Sequence, residues 1–178
     1  MSREAISVPK SEDVIVPTDR TLYIDRAYPD GIAMFEGNQT IAYADSTERD
    51  LYARVILWMV GARMPITAKI GTVGAGTCYL QRLLNVRFRE EAPGANTIDV
   101  FEIHQEIADW NIAEWGVNQF GWNFVVGDYL TTLVADAAYD GVYDLLIHDA
   151  FDTPDRPALE AKLTPTGTLL VLDDFREG

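Results

Sequence analysis

Two glycines separated by one residue, in Val73-Gly74-Ala75-Gly76-Thr77, stand between a β-rich run (66–73) and a helical pattern (77–86). Glycines at a strand-to-helix turn let the backbone approach a ligand and point helix N-terminal amides at it, although they also serve simply to turn a tight corner. The other residues able to do chemistry each follow a later β-rich run. Glu102 closes the run 97–103, where a carboxylate can accept both hydroxyls of a ribose or stand as an exposed strand-end acid. Gly127-Asp128 follows the run 122–126, and Asp128 can accept from an adenine amino group, cap the next helix, or do both. His148-Asp149-Ala150-Phe151-Asp152 follows the run 143–148 and puts two carboxylates, Asp149 and Asp152, in one loop. Such a pair can hold an amine, take its proton or bind a divalent metal, or be no more than a solvated loop. Asp173-Asp174, after the last run, could join Asp149 around a metal or be a polar chain end.

Other reactive residue types carry weaker readings. Cys78 falls in the first turn of the helix after the glycines, where amides can depress a thiol pKa, but a single cysteine is read first as a packing residue. Trp110 and Trp115 read as core on a helix face, and His104 as a surface histidine beside the ligand site.

These positions depend on elements that alternate along the chain. From Ile66 onward, β-rich runs at 66–73, 97–103, 122–126, 143–148 and 168–172 are separated by helical segments at 77–86, 105–115, 129–137 and 157–162. Five strands with intervening helices predict a parallel sheet with right-handed crossovers, a Rossmann-like α/β sandwich of three layers. In an open sheet of this kind, ligands bind beyond the carboxyl ends of the strands, which is where the glycines and acids fall.

Before the alternation, residues 1–20 read as a polar tail or a lead-in strand at 13–16. Short β-like runs at 21–24, 32–35 and 40–44, joined by Tyr-Pro-Asp-Gly (28–31) and Glu-Gly-Asn (36–38), predict a small antiparallel appendage. Asp45 stands three residues before Glu48 in a capping-box arrangement, and Leu51, Tyr52, Val55, Ile56, Met59 and Val60 repeat at helical spacing, which predicts a helix over 46–62. The expected division is therefore an appendage over 1–45 and a cofactor-binding domain over 46–178.

Length and composition allow this plan. A chain of 178 residues suits one domain with a core, and 48% hydrophobic with 24% charged residues is ordinary globular usage. One cysteine permits no internal disulfide, and His104 and His148 do not make a zinc spacing. With 28 acids against 14 bases, the formal charge of −14 would repel a phosphate backbone, so no nucleic-acid partner is expected. No apolar run reaches the length of a membrane span and residues 1–10 lack a secretory pattern, so no membrane partner and a cytoplasmic location are expected.

Val-Gly-Ala-Gly-Thr-Cys-Tyr-Leu (73–80), Val-Phe-Glu-Ile-His-Gln-Glu-Ile (100–107), Val-Val-Gly-Asp (125–128) and Tyr-Asp-Leu-Leu-Ile-His-Asp-Ala-Phe-Asp (143–152), in that order, resemble proteins of the class I methyltransferase fold. Within that fold the nearest likeness is to the spermidine synthase-like branch, and the appendage with Leu-Tyr-Ile-Asp (22–25) resembles that branch's N-terminal hairpin region, extending the likeness to most of the chain. The resemblance implies a cofactor or co-substrate, S-adenosylmethionine or its decarboxylated form. Gly74, Ala75 and Gly76 would line its methionine portion, Glu102 with Ile103 beside it would hold the ribose, Asp128 with Gly127 would contact the adenine, and Asp149 would also belong to the cofactor site. Asp149 and Asp152 would match the family's D-x-x-D loop, which in aminopropyltransferases binds and deprotonates the attacking amine. Tyr52-Ala53-Arg54 replaces the aminopropyltransferase Tyr-His-Glu signature, which puts methyl transfer to a small-molecule acceptor ahead of aminopropyl transfer. Asp149 with Asp173 and Asp174 also resembles the metal positions of catechol-type O-methyltransferases, which would imply Mg.

Cys78 stands where the family usually has a glycine, so its side chain is expected to crowd the cofactor and favours a degenerate binding or assembly module. Gly178 comes just after the fifth run, where the family's fold continues with a helix and two strands. The sheet edge there is expected to be covered by a partner subunit in a homo-oligomer, or left bare in a reduced version of the fold.

Overall fold

The segment Ile70–Val73 is buried at every position, as is Ile98–Glu102, the pattern of strands covered on both faces. The structure, a computed structural model, describes residues 3–6, 22–28, 31–36, 39–43, 56, 58, 68–84, 98–117, 121–150 and 154–172. The expected strand at 13–16, most of the expected helix at 46–62, and Asp152, Asp173 and Asp174 lie outside them.

Four strands come first: β1 (Arg3–Ile6), β2 (Leu22–Tyr28), β3 (Gly31–Glu36) and β4 (Gln39–Tyr43), hydrogen-bonded in that order as an antiparallel sheet. Tyr28 pairs with Gly31 and Glu36 with Gln39, so both hairpins close tightly at the turn signals read from the sequence. β1 corrects the reading of residues 1–20 as a tail: Arg3 pairs with Asp25 and Ile6 with Leu22, a pairing that no local pattern announces.

The second sheet contains β5 (Ile70–Val73), β6 (Ile98–Glu102), β7 (Asn123–Val126), β8 (Tyr143–His148) and β9 (Leu163–Val171), in the order β7-β6-β5-β8-β9. Every pair in it is parallel. The chain builds outward from β5 to β7 and then returns to the other side of β5 for β8 and β9. The order therefore reverses between β5 and β8, where such sheets open a crevice for ligands.

Side chains alternate across the strands and feed two cores. On one face Ile70, Ile98, Val100, Leu145 and Ile147 pack with Leu80 and Leu84 of a helix over 79–84, with Ile107 of α1 (Gln105–Trp115), and with Ile56. On the other, Val73, Phe101, Tyr143 and Leu146 pack with Tyr129, Leu133 and Leu159, the last on α2 (Arg156–Glu160). This is the expected three-layer α/β sandwich. Of the expected helix over 46–62 only Ile56 and Trp58 are described; both are helical, Ile56 buried and Trp58 76% exposed.

Three elements differ from the sequence reading. The first strand begins at Ile70, not at 66, within the described residues. The expected helix at 129–137 is a π-helical turn, Leu130–Val134, followed by a 3-10 turn, Ala137–Tyr139. The hydroxyls of Thr131 and Thr132 both donate to the Asp128 carbonyl, a local competition that loosens ordinary helical pairing, and the Ala135 N–H reaches back to Leu130 O. Finally, β9 starts at Leu163 and not at Thr168, because Leu163 pairs with Tyr143 ahead of an irregularity that holds Pro165 and Gly167. Among the described residues no helix is long and apolar enough to cross a membrane.

Candidate functional site

The carboxyl ends of β7, β6, β5 and β8 bring together most of the residues singled out from the sequence. Past the strand ends the backbone ladder continues through them. The Gly127 N–H donates to Glu102 O, the Gly74 N–H to Phe101 O, and the Asp149 N–H to Val73 O, each at 2.9 Å. Gly127, Glu102, Gly74 and Asp149 thus form one row along the sheet edge, with Asp128 and Ile103 as chain neighbours.

Gly74 has φ +90, and a Cβ there would stand 2.1 Å from the Asp149 carbonyl oxygen. The first glycine is therefore required by the neighbouring strand's backbone as well as by any ligand. The loops after β5 and β8 interlock at the point where strand order reverses. The acid read as substrate anchor is fixed beside the loop read as cofactor cradle, and the Asp149 residue is exposed.

Glu102 is 5% exposed, and each of its carboxylate oxygens accepts a backbone amide at 2.9 Å: Oε2 from Ala75, Oε1 from His104. Burial pushes its pKa up, against the opposing pull of those amides. The carboxylate is thus a strut for the glycine loop and for the start of α1. Ile103 beside it is 42% exposed, an apolar surface next to a polar anchor. Asp128 is exposed, and its Oδ1 accepts from the Leu130 N–H at 2.9 Å, so the capping role is realised and Oδ2 is left to act outward. His104 contributes its main chain: the amide goes to Glu102, and its carbonyl accepts from Ile107 and Ala108 at the start of α1.

Cys78 follows the glycine loop by two positions. Its φ is +53, a left-handed conformation that glycine adopts more easily, so the position demands glycine-like backbone. Its side chain is fully buried in the first core, in the same cluster as Ala75 of the glycine loop. Burial drives the thiol pKa far up, the direction opposite to activation of a thiolate. His148 is the last residue of β8 and fully buried, with Tyr129 edge-on to it at 5.3 Å between ring centroids.

Two residues that the sequence reading passed over complete the loop. Gln81 Nε2 donates to Gly74 O at 3.1 Å and to Thr72 Oγ1 at 3.2 Å. Asn111 Nδ2 donates to Gly76 O at 2.8 Å and to Ile107 O at 2.9 Å. The available signal was a buried-face polar residue in each helix; asparagine in mid-helix is a poor helix former and invites a search for its partner. As for a metal, the described residues contain no group of three His, Cys, Asp or Glu side chains placed to hold one.

No protein family description matches the sequence, and no curated protein matches it. Solved structures do match in shape. Spermidine synthase from Thermotoga maritima superposes with a TM-score of 0.63 at 13% identity, over 94% of this chain and 55% of that one. The SAH-bound methyltransferase from Podospora anserina gives 0.54 at 17% identity, over 68% of this chain and 51% of its own. The O-methyltransferase TomG from Streptomyces achromogenes, in complex with SAM, gives 0.52 at 19% identity, over 74% and 56%. The chain spans about half the length of the solved proteins it matches. Strand order, the interlocked crevice and these superpositions together establish that the chain carries the class I methyltransferase-like fold, an α/β architecture shared with S-adenosylmethionine-dependent methyltransferases and spermidine synthase.

Proposed function

We propose that the protein is an S-adenosylmethionine-dependent transferase of the spermidine synthase-like type that methylates a small-molecule acceptor. The observation that carries the reading is the pair of interlocked loops at the strand ends: a glycine loop that admits no Cβ at Gly74, braced by a buried Glu102 and set against the backbone of Asp149. The residues present fit a nucleoside with an amino-acid tail. The loop 74–76 would take the tail, Glu102 the ribose hydroxyls, Ile103 a face of the base, and Asp128 an exocyclic amino group through Oδ2. Bound S-adenosylmethionine would supply a methyl group on a sulfonium sulfur, a carbon already activated toward attack.

The chain's own part is positioning and proton handling. Asp149, exposed and held next to Gly74 by the Val73 bond, would orient the acceptor and take its proton. Solved neighbours hold SAM, SAH or the transition-state analogue AdoDATO, and the likeness to spermidine synthase reaches 94% of the chain, beyond the 68–74% of the two methyltransferases. That coverage supports the spermidine synthase-like branch.

The test is thermal unfolding and calorimetry with S-adenosylmethionine, its decarboxylated form and S-adenosylhomocysteine. A ligand at a hundredfold over its dissociation constant should raise Tm by about 5–10 °C. Preference for the carboxylated forms supports methyl transfer, preference for the decarboxylated form replaces it with aminopropyl transfer, and no shift with any of them removes the reading. Because Glu102 also braces the loop, its ribose role needs a finer probe: 2′-deoxy-S-adenosylhomocysteine should bind more weakly than the parent to the wild type but equally to Glu102→Gln.

A further inference from the structure

We propose that Gln81 and Asn111 are positioning residues that set ligand affinity by tying back the carbonyls of the glycine loop, an inference that rests on the cofactor reading above. In a trans peptide the C=O of one residue and the N–H of the next point opposite ways. Holding the Gly74 carbonyl on Gln81 therefore sends the Ala75 N–H to the other side, where Glu102 Oε2 receives it. The Ala75 carbonyl is in turn held by the Cys78 N–H at 2.7 Å. Holding the Gly76 carbonyl on Asn111 turns the Thr77 N–H away from α1 in the same manner. Three successive carbonyls are thus anchored, and the directions of the following amides are set before any ligand arrives.

Stability alone does not account for Asn111. Its side chain is fully buried, and its Oδ1 has no hydrogen-bond partner. An isosteric leucine would leave the Gly76 carbonyl unpaired but would remove the orphaned Oδ1, so one buried unpaired oxygen is exchanged for another. What the asparagine adds is direction. Gln81 does the same from the helix over 79–84, joining the loop to β5 through Thr72.

The experiment compares Asn111→Leu, Gln81→Met and the double variant with the wild type in the full chain. Three quantities are read: the urea unfolding midpoint, the affinity for S-adenosylhomocysteine by calorimetry, and amide hydrogen exchange of residues 74–78 without ligand. Each single variant should lose roughly fivefold to tenfold in affinity, the loss expected from one hydrogen bond, with the double variant weaker than either. Loop amides should exchange faster in each, with the unfolding midpoint near that of the wild type in Asn111→Leu and lower in Gln81→Met, where Gly74 O and the buried Thr72 Oγ1 lose a partner. Unchanged affinity and unchanged loop exchange in folded variants would overturn the proposal. Should Asn111→Leu fail to fold, Gln81→Met decides alone. If the wild type does not bind S-adenosylhomocysteine, the cofactor reading is what has failed, and loop exchange still decides whether these two side chains hold the loop.

Discussion

Asp99 and Glu102 lie three residues apart on β6 and are equally buried, each 5% exposed, yet they are held by different kinds of partner. Asp99, at the amino end of the sheet, receives the Tyr143 hydroxyl at 2.7 Å on Oδ2 and has Lys69 Nζ at 3.5 Å from the same oxygen. Lys69 also lies 5.7 Å from the centroid of the Tyr143 ring, which stacks on Tyr139 and meets Phe101 edge-on. Burial first, then the bond to Asp99, pushes the tyrosine's pKa up, so the hydroxyl stays a donor. Nearby, Asp144 accepts from the Lys69 amide and the Thr164 hydroxyl, joining the segments before β5 and in β9. At the carboxyl end, Glu102 is held by main-chain amides, and among the described residues no lysine or arginine pairs with it. A carboxylate joined to side chains of other strands fastens the sheet. One joined to loop amides fixes the shape of a loop and keeps acceptor capacity for something else.

The comparison can be broken most severely at Gly74. Gly74→Ala forces a Cβ against the Asp149 carbonyl at φ +90, and should destabilise the protein by at least about 3 kcal/mol in urea titrations. Near-wild-type stability would mean that the two loops are not interlocked. Tyr143→Phe strikes the opposite end. It removes the donor to a buried carboxylate and should lower stability by about 2 kcal/mol while leaving S-adenosylhomocysteine affinity as it was. A fall in affinity would show that the two ends are coupled.

Glu102→Gln sharpens the contrast, because the amide can accept only one of the two backbone donors. Affinity for S-adenosylhomocysteine should fall roughly tenfold, about 1.4 kcal/mol. Its pH signature follows from the direction of the shift. A folded-state pKa above the ordinary carboxyl value means that the folded protein binds the proton more tightly than the unfolded chain does. The resulting stability is fully present below the unfolded value and is lost as pH rises through the folded one. Wild type should therefore gain stability relative to Glu102→Gln as pH falls through that window, and parallel urea midpoints from pH 8 to pH 4 would remove the assignment. The smallest effect belongs to Cys78→Gly. Relief of left-handed strain, about 1 kcal/mol, nearly offsets the lost buried thiol and the added backbone freedom. Net stability should move by less than about 1 kcal/mol, and S-adenosylhomocysteine affinity should stay the same because the thiol faces the core.

Much of this was legible locally. Gln105–Trp115 and Tyr143–His148 are read from the sequence with the boundaries that the structure gives them, since one is closed by Gly116 and the other is a β-rich run bounded by turns. What escaped was whatever depends on distant pairing. β1 is a strand because 22–25 lies beside it, and Leu163 joins β9 because Tyr143 receives it despite Pro165 and Gly167. Gln81 and Asn111 looked like ordinary helix residues because their partners, the Gly74 and Gly76 carbonyls, are main-chain atoms that no side-chain pattern reveals.

The sequence by itself determined the alternation of strands and helices and the placing of glycines and acids just after strands, because periodicity and backbone freedom are properties of neighbouring residues. Tertiary structure alone decided that the chain reverses its order between β5 and β8 and so sets Gly74 against Asp149. It also decided that Glu102 spends its carboxylate oxygens on main-chain amides of the loops it supports, and that Cys78 turns into the core. Those outcomes depend on which atoms fill the remaining hydrogen-bonding and packing capacity of each group, and that is settled only when distant segments meet.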